Sequence, residues 1–348
     1  MAATTNPLHS THPASIPPIS NQRFAIAGIL TTVYGISELP SSVESVACLW
    51  LLHPRLQTQE TMAPIAAQMI RAWNERVTEG RTGRPLKGLI AVSFDQRNHG
   101  SREVDARANM AWRENNPRHA QDMFSCYHGT SLDASLLLTH LQSYIFSSAS
   151  SPCRLTQHLV LGVSLGGHAA WHCILHDPRI TAAVVTIGTP DYTRLMAHRA
   201  AKSKLKTWTS TSPPGAGFFG SEDFPRALID AVARYDPAGL LLPGIDENFK
   251  PAQEDLQRFK ELVLQHLGGK KILNLSGGAD KLVPYAVGEP FLKTLKQVTQ
   301  EDRELNVEFE DVIYDGTGHT MSPPMAEKAV RWVCDVLSKG GETKESKI

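Results

Sequence analysis

Apolar residues in this chain gather in short dense runs separated by stretches of helical period. Two short strands about a glycine are predicted over 24–30 and 32–39, and a strand buried on both faces over 43–52, closed by His53, Pro54 and Arg55. Met62, Ile65, Met69, Ile70 and Trp73 then recur at helical spacing, with Pro64 tolerated in the first turn. A further buried strand is expected over 89–94, and Asp95 opens a polar turn. The pattern continues with a helix over 132–146, a strand over 158–163, a helix over 165–175 and a strand over 180–187. Strands separated by helices pair in parallel through right-handed crossovers, so the fold class is α/β.

The alternation breaks after Asp191. A basic, Ser/Thr-rich stretch over 200–212, a Pro-Pro-Gly turn and two amphipathic helices, 222–234 and 252–267, follow with no strand between them. A helical cap inserted at about 192–268 is the expectation. Strand 271–275, helix 284–298, strand 307–314 and helix 324–337 complete the pattern. One domain over 23–338 is expected, between a flexible N-terminal segment, 1–22, and a flexible polar tail, 339–348.

Composition removes several function classes. The 348 residues carry 35 Lys+Arg against 35 Asp+Glu, without the basic excess that nucleic acid or an anionic lipid surface demands. Cys48, Cys126, Cys153, Cys173 and Cys334 are scattered and lack C-x-x-C spacing, which speaks against a disulfide framework and against a metal site. No apolar run reaches the roughly 18 residues that span a bilayer. Residues 24–36 read as strand rather than signal peptide, and the start of the chain as a frayed terminus rather than a transit peptide.

The strongest local signal is Gly162-Val-Ser164-Leu-Gly166, where a buried strand runs directly into a helix. A serine on that turn takes a strained backbone conformation, and the residues two before and two after it must be small to avoid the neighbouring strand and helix. Its hydroxyl then projects from the carboxyl edge of the sheet at a helix N-terminus, where developing negative charge is favoured. A serine needs a base, and the base an orienting acid. Among fourteen histidines, His319 lies just past the last strand on a glycine-flanked loop and is the candidate base. Asp280, after the preceding strand, is the candidate acid, with Asp191 the runner-up. Asp95, Arg97 and His99 read as a structural turn, and His168 as facing solvent or capping helix packing. The sequon Asn274-Leu-Ser276 falls on a buried strand and is discounted. Trp112, Trp171 and Trp208 either line a pocket or pack, with Trp208 leaning towards substrate.

The elbow, the order Ser164, Asp280, His319 and the turn Asp95-Gln-Arg97-Asn-His99-Gly100 together resemble the α/β-hydrolase superfamily over about 24–337. The resemblance implies an eight-stranded, mostly parallel sheet flanked by helices, a cap after the sixth strand, a Ser-His-Asp triad and no metal or organic cofactor. It also implies an oxyanion hole from two backbone N–H groups: Leu165, and Arg55 in a loop where many members have His-Gly-x, with Leu56 a possible substitute. Here Pro54 occupies the glycine position and has no N–H. The activity implied is acyl hydrolysis of a small-molecule ester or thioester; an acyltransferase or a catalytically silent binding protein would use the same fold. The tail Ser346-Lys347-Ile348 differs from the peroxisomal address Ser-Lys-Leu only at its last residue, which implies an import receptor as partner and a peroxisomal location, otherwise a cytoplasmic one. With that tail, the chain resembles the esterase-lipase type hydrolases of fungal toxin clusters, enzymes associated with an epoxy-decatrienoic acid unit.

Overall fold

A computed structural model describes residues 6–12, 16–41, 43–82, 86–148, 152–242 and 253–339. Its eight strands are β1 (Asn21–Ile26), β2 (Ile29–Tyr34), β3 (Ser45–Leu52), β4 (Lys87–Phe94), β5 (Arg154–Val163), β6 (Ile180–Thr186), β7 (Lys271–Gly277) and β8 (Glu308–Tyr314). They form one sheet in the order β1-β2-β4-β3-β5-β6-β7-β8. The β1–β2 and β2–β4 pairs are antiparallel, and every pair from β4 to β8 is parallel. The dense apolar runs are explained by this placement, because β3 and β4 are buried along nearly their whole length.

Helices α1 (Ala63–Thr78) and α10 (Pro323–Lys339) cover one face of the sheet. Helices α2 (His119–Ile145), α3 (Leu165–His176) and α9 (Tyr285–Glu301) cover the other, together with the region between β6 and β7. That region holds α4 (Tyr192–Ser203), α5 (Lys206–Thr209), α6 (Arg226–Tyr235), α7 (Pro237–Leu241) and α8 (Gln253–Leu267). After β3 the chain crosses to β4 on one side, and it later places β5 on the other side of β3. The carboxyl ends of β3 and β5 therefore diverge at a topological switch point, where open α/β sheets leave a crevice.

Three sequence expectations change. Helix α2 begins thirteen residues before the predicted start, because Thr130, Ser131 and Asp133 are buried along with Met123, Phe124 and Tyr127 and blur the apolar periodicity. Helix α4 lies at the start of the expected cap, mostly ahead of the basic stretch, where no helix was predicted; the Asp191 side chain caps it by accepting from the Arg194 N–H at 2.9 Å, and Leu195, Met196 and Ala200 form its buried side. The N-terminal stretch is not loose throughout. Leu8 is buried, and the Pro7 carbonyl accepts from the Met321 N–H at 3.0 Å and from the Thr320 hydroxyl at 2.9 Å. Thr11 in turn donates to the Met321 carbonyl at 2.7 Å. Residues 340–348, including the tail tripeptide, lie outside the described residues. Among the described residues no helix is long and apolar enough to cross a membrane.

Candidate active site

Ser164 sits between β5 and α3 with φ 57° and ψ −113°, a conformation L-residues rarely adopt. Its N–H donates to the Thr186 carbonyl on β6 at 2.9 Å, which holds the turn against the sheet. The flanking glycines are required for steric reasons. A Cβ on Gly162 would lie 1.9 Å from the Gly166 carbonyl oxygen, and one on Gly166 would lie 2.0 Å from the Leu52 carbonyl oxygen at the end of β3. The strain and the glycines thus belong to one arrangement that packs the start of α3 against two strands.

The structure brings together the three residues expected to act in concert. Asp280 follows β7, and its side chain is fully buried. One carboxylate oxygen accepts from the Leu282 and Val283 N–H groups at 2.8 and 3.0 Å; the other accepts from His319 Nδ1 at 2.7 Å. A carboxylate can only accept, so Nδ1 carries the imidazole proton and Nε2 is left as an acceptor. The Ser164 hydroxyl donates to Nε2 at 2.8 Å. The loops bearing the acid and the histidine are tied by backbone bonds from Gly278 to Tyr314 and from Ala279 to Thr317, each 2.9 Å. Gly277 permits that approach, since a Cβ there would lie 2.5 Å from the Thr317 carbonyl oxygen.

Asp191 is not part of this chain of bonds. It caps α4 and pairs with Arg194 at 3.4 Å, while burial pushes its carboxyl up to about 6. Arg55 and Leu165 border the same small cavity. Leu165 opens α3, so its N–H has no acceptor a turn earlier in the helix. Leu56 has φ 61°, which turns the chain sharply after Arg55.

The Asp95 turn is the structural tie expected of it. Burial pushes its carboxyl up, but the N–H groups of Ser101 and Gln59 and the Ser101 hydroxyl outweigh burial and hold it below the ordinary value. Arg97 and Arg102 both pair with Asp133 on α2. His168 departs from expectation. It is buried against the Tyr127 ring, its Nδ1 accepts from the Thr189 N–H at 3.2 Å, and burial lowers it to about 3, so it stays neutral. Asn274 is wholly buried and donates to Asp311 at 2.8 Å, consistent with discounting the sequon. Trp208 packs edge-on against Phe218 and Trp171 against Phe291; of the three tryptophans weighed from sequence, Trp112 is the one that lines the cleft.

That cleft has a volume of about 130 Å³ and contains Ser164 and His319. Its walls carry Arg55, Arg113, Arg199, Lys202 and Lys281, a feature that sequence reasoning missed. The available signal was Lys202, in the stretch 200–212 already recognised as basic, with Arg199 one turn before it. Burial and the nearby Arg55 charge lower the Arg199 guanidinium to about 10. Among the described residues no cluster of His, Cys, Asp and Glu has a geometry that would hold a metal ion.

A family model described as alpha/beta hydrolase family matches residues 66–336. No curated protein matches the sequence. Among solved structures, TT1662 from Thermus thermophilus aligns at TM-score 0.53 and 17% identity, over 92% of this chain and 99% of that one. A Mycobacterium tuberculosis puromycin-hydrolyzing peptidase aligns at TM-score 0.52 and 12% identity, over 94% of this chain and 40% of its own. The Pyrococcus horikoshii acylaminoacyl peptidase aligns at 0.51 and 12%, over 95% and 44%. The chain therefore spans less than half the length of either peptidase, and at these identities the likeness is one of fold.

Proposed function

The chain belongs to the alpha/beta hydrolase family, and from that premise we propose that it hydrolyses a carboxylic ester or acyl thioester through an acyl-enzyme on Ser164. The Ser164 oxygen attacks the substrate carbonyl carbon as its proton passes to His319 Nε2. Asp280 keeps the opposite nitrogen protonated and stabilises the imidazolium. The tetrahedral oxyanion accepts from the backbone N–H groups of Leu165 and Arg55. Collapse breaks the bond to the leaving alcohol or thiol, which takes the proton from His319. Water then attacks the acyl-enzyme, its proton again received by His319, and the acid departs with Ser164 restored.

The observation that carries this reading is the run of hydrogen bonds from Ser164 Oγ through His319 to Asp280, 2.8 and 2.7 Å long, ending on a buried carboxylate. Ser164→Ala is expected to remove both turnover of short acyl esters and labelling by a fluorophosphonate probe, with an unchanged melting curve. Parent-rate hydrolysis by the purified variant would refute the assignment. The peroxisomal location is likewise a proposal. It rests on Ser346-Lys347-Ile348, and a fluorescent fusion bearing the last ten residues, with and without Ile348, tests it. The link to fungal toxin biosynthesis rests on the sequence resemblance alone.

A further inference from the structure

Building on the acyl-enzyme reading above, we infer that the substrate is an anion, carrying a carboxylate or phosphate group that is held beside Ser164 by Arg55, Arg113, Arg199, Lys202 and Lys281. These five cations come from four segments: the loop after β3, the turn before α2, helix α4 and the loop after β7. Among the described residues no aspartate or glutamate lines the cleft with them, and none of the five has a carboxylate partner within ion-pair distance. The acids nearest the cluster are engaged elsewhere: Asp280 accepts from His319, Glu114, whose charge reaches Arg55, accepts from the Ala111 N–H, and Asp122, which borders the small cavity beside Arg55, accepts from the Asn116 amide.

The cations are held in place without being neutralised. Lys202 Nζ donates to the Lys281 carbonyl at 2.8 Å, Arg199 donates to the Leu282 carbonyl at 3.3 Å and to His119 Nε2 at 3.1 Å, and Arg55 donates to the Asn109 carbonyl at 2.8 Å. His119 is buried and kept neutral, its burial compounded by the charges of Arg199 and Arg55. Arg113, Lys202 and Lys281 are exposed and solvated, whereas Arg55 and Arg199 are only partly exposed where they line the cleft. In a chain whose charges balance overall, such a local excess inside a low-dielectric crevice gives a positive potential that an anion relieves. Two substrate types share that chemistry, an acyl chain ending in a carboxylate and a thioester whose leaving group bears phosphates.

The test is a matched substrate series. One arm compares the p-nitrophenyl ester of pentanoic acid with that of glutaric acid, which adds a terminal carboxylate. The other compares an acyl coenzyme A thioester with the N-acetylcysteamine thioester of the same acid. The anionic member of at least one pair is expected to show a kcat/KM at least tenfold higher at low salt, and the arm that does so identifies where the charge resides. Added salt should shrink that ratio, a readout on the parent protein that requires no variant. Lys202→Glu combined with Lys281→Glu, both at exposed positions, should reduce the ratio at least tenfold. Turnover of neutral and anionic members at equal rates in both arms, independent of salt, overturns the inference while leaving the acyl-enzyme reading intact. No turnover in any arm together with no probe labelling of Ser164 overturns both.

Discussion

Replacing Asp280 with asparagine isolates the contribution of one proton position. The amide oxygen can take over the bonds from the Leu282 and Val283 N–H groups at 2.8 and 3.0 Å, which leaves its NH₂ facing His319 Nδ1 where the carboxylate now accepts at 2.7 Å. The opposite rotamer would aim that NH₂ at two backbone donors and is disfavoured. The amide therefore donates to Nδ1, the imidazole proton moves to Nε2, and the nitrogen that should accept from Ser164 becomes a donor. A fold-preserving loss of the correct tautomer lowers kcat by about 10⁴, or about 5.4 kcal/mol of transition-state stabilisation. Hydrolysis of a short p-nitrophenyl ester gives kcat, the rate of fluorophosphonate labelling, which also needs His319 to take the Ser164 proton, should fall with it, and a melting curve checks the fold. Asp191→Asn is the paired control. Asparagine can still cap α4 by accepting from the Arg194 N–H, so that variant should retain parent-like turnover. A folded Asp280→Asn enzyme with kcat within about tenfold of the parent would refute the reasoning, since no tautomer shift of this kind costs so little.

Two predictions concern stability. Gly166→Ala places a Cβ 2.0 Å from the Leu52 carbonyl oxygen, a backbone atom that cannot swing aside, so the urea midpoint should fall by the equivalent of about 3 kcal/mol or more, and an unchanged midpoint would contradict the packing of the elbow. Acidification should also destabilise the protein. Burial holds His53 and His158 to about 4 and His168 to about 3, and keeps His119 and His172 well below the ordinary value, so all five are neutral when folded and take protons near 6.5 when unfolded. Their contribution is present above pH 6.5 and is lost as pH falls towards 4. Burial lowers His12, His99, His128, His176, His198 and His266 in the same direction and raises the Asp191 and Asp236 carboxyls, which oppose part of this, so unfolding takes up protons on balance as the pH falls below 6.5. Urea midpoints at pH 7, 6 and 5 should decline in order; a flat or rising series would show that these imidazoles are not held neutral.

The legible part of the sequence was the part built from dense runs and steric necessity. Buried strands such as β3 and β4 announce themselves because parallel sheets bury both faces, and Gly162 and Gly166 announce the elbow because nothing larger fits. Chain order then singled out His319 and Asp280, which the fold does bring to Ser164. Position along the chain also favoured Asp280 over Asp191, but only the geometry displays why, since one carboxylate meets the imidazole and the other caps a helix. The first half of α2 escaped because buried polar residues blur its apolar spacing, and α4 because only Tyr192, Leu195, Met196 and Ala200 of its twelve residues are buried. The cationic cleft escaped for a different reason. Its five members are spread over more than two hundred residues, and a net charge of zero conceals any local excess.

The contact between Pro7 and the loop of His319 has a consequence for how the site is assembled. Thr320 and Met321, the two residues after the histidine, are held by a segment more than three hundred positions away. The nucleophile is set at mid-chain, where β5, α3 and β6 are near neighbours in sequence, so its turn can form early. The imidazole follows the last strand, and the contact that fixes its loop closes a loop of more than three hundred residues, a slow class of folding event. During refolding, recovery of turnover should therefore lag behind burial of the tryptophans, making activity a report on the meeting of the two ends of the chain.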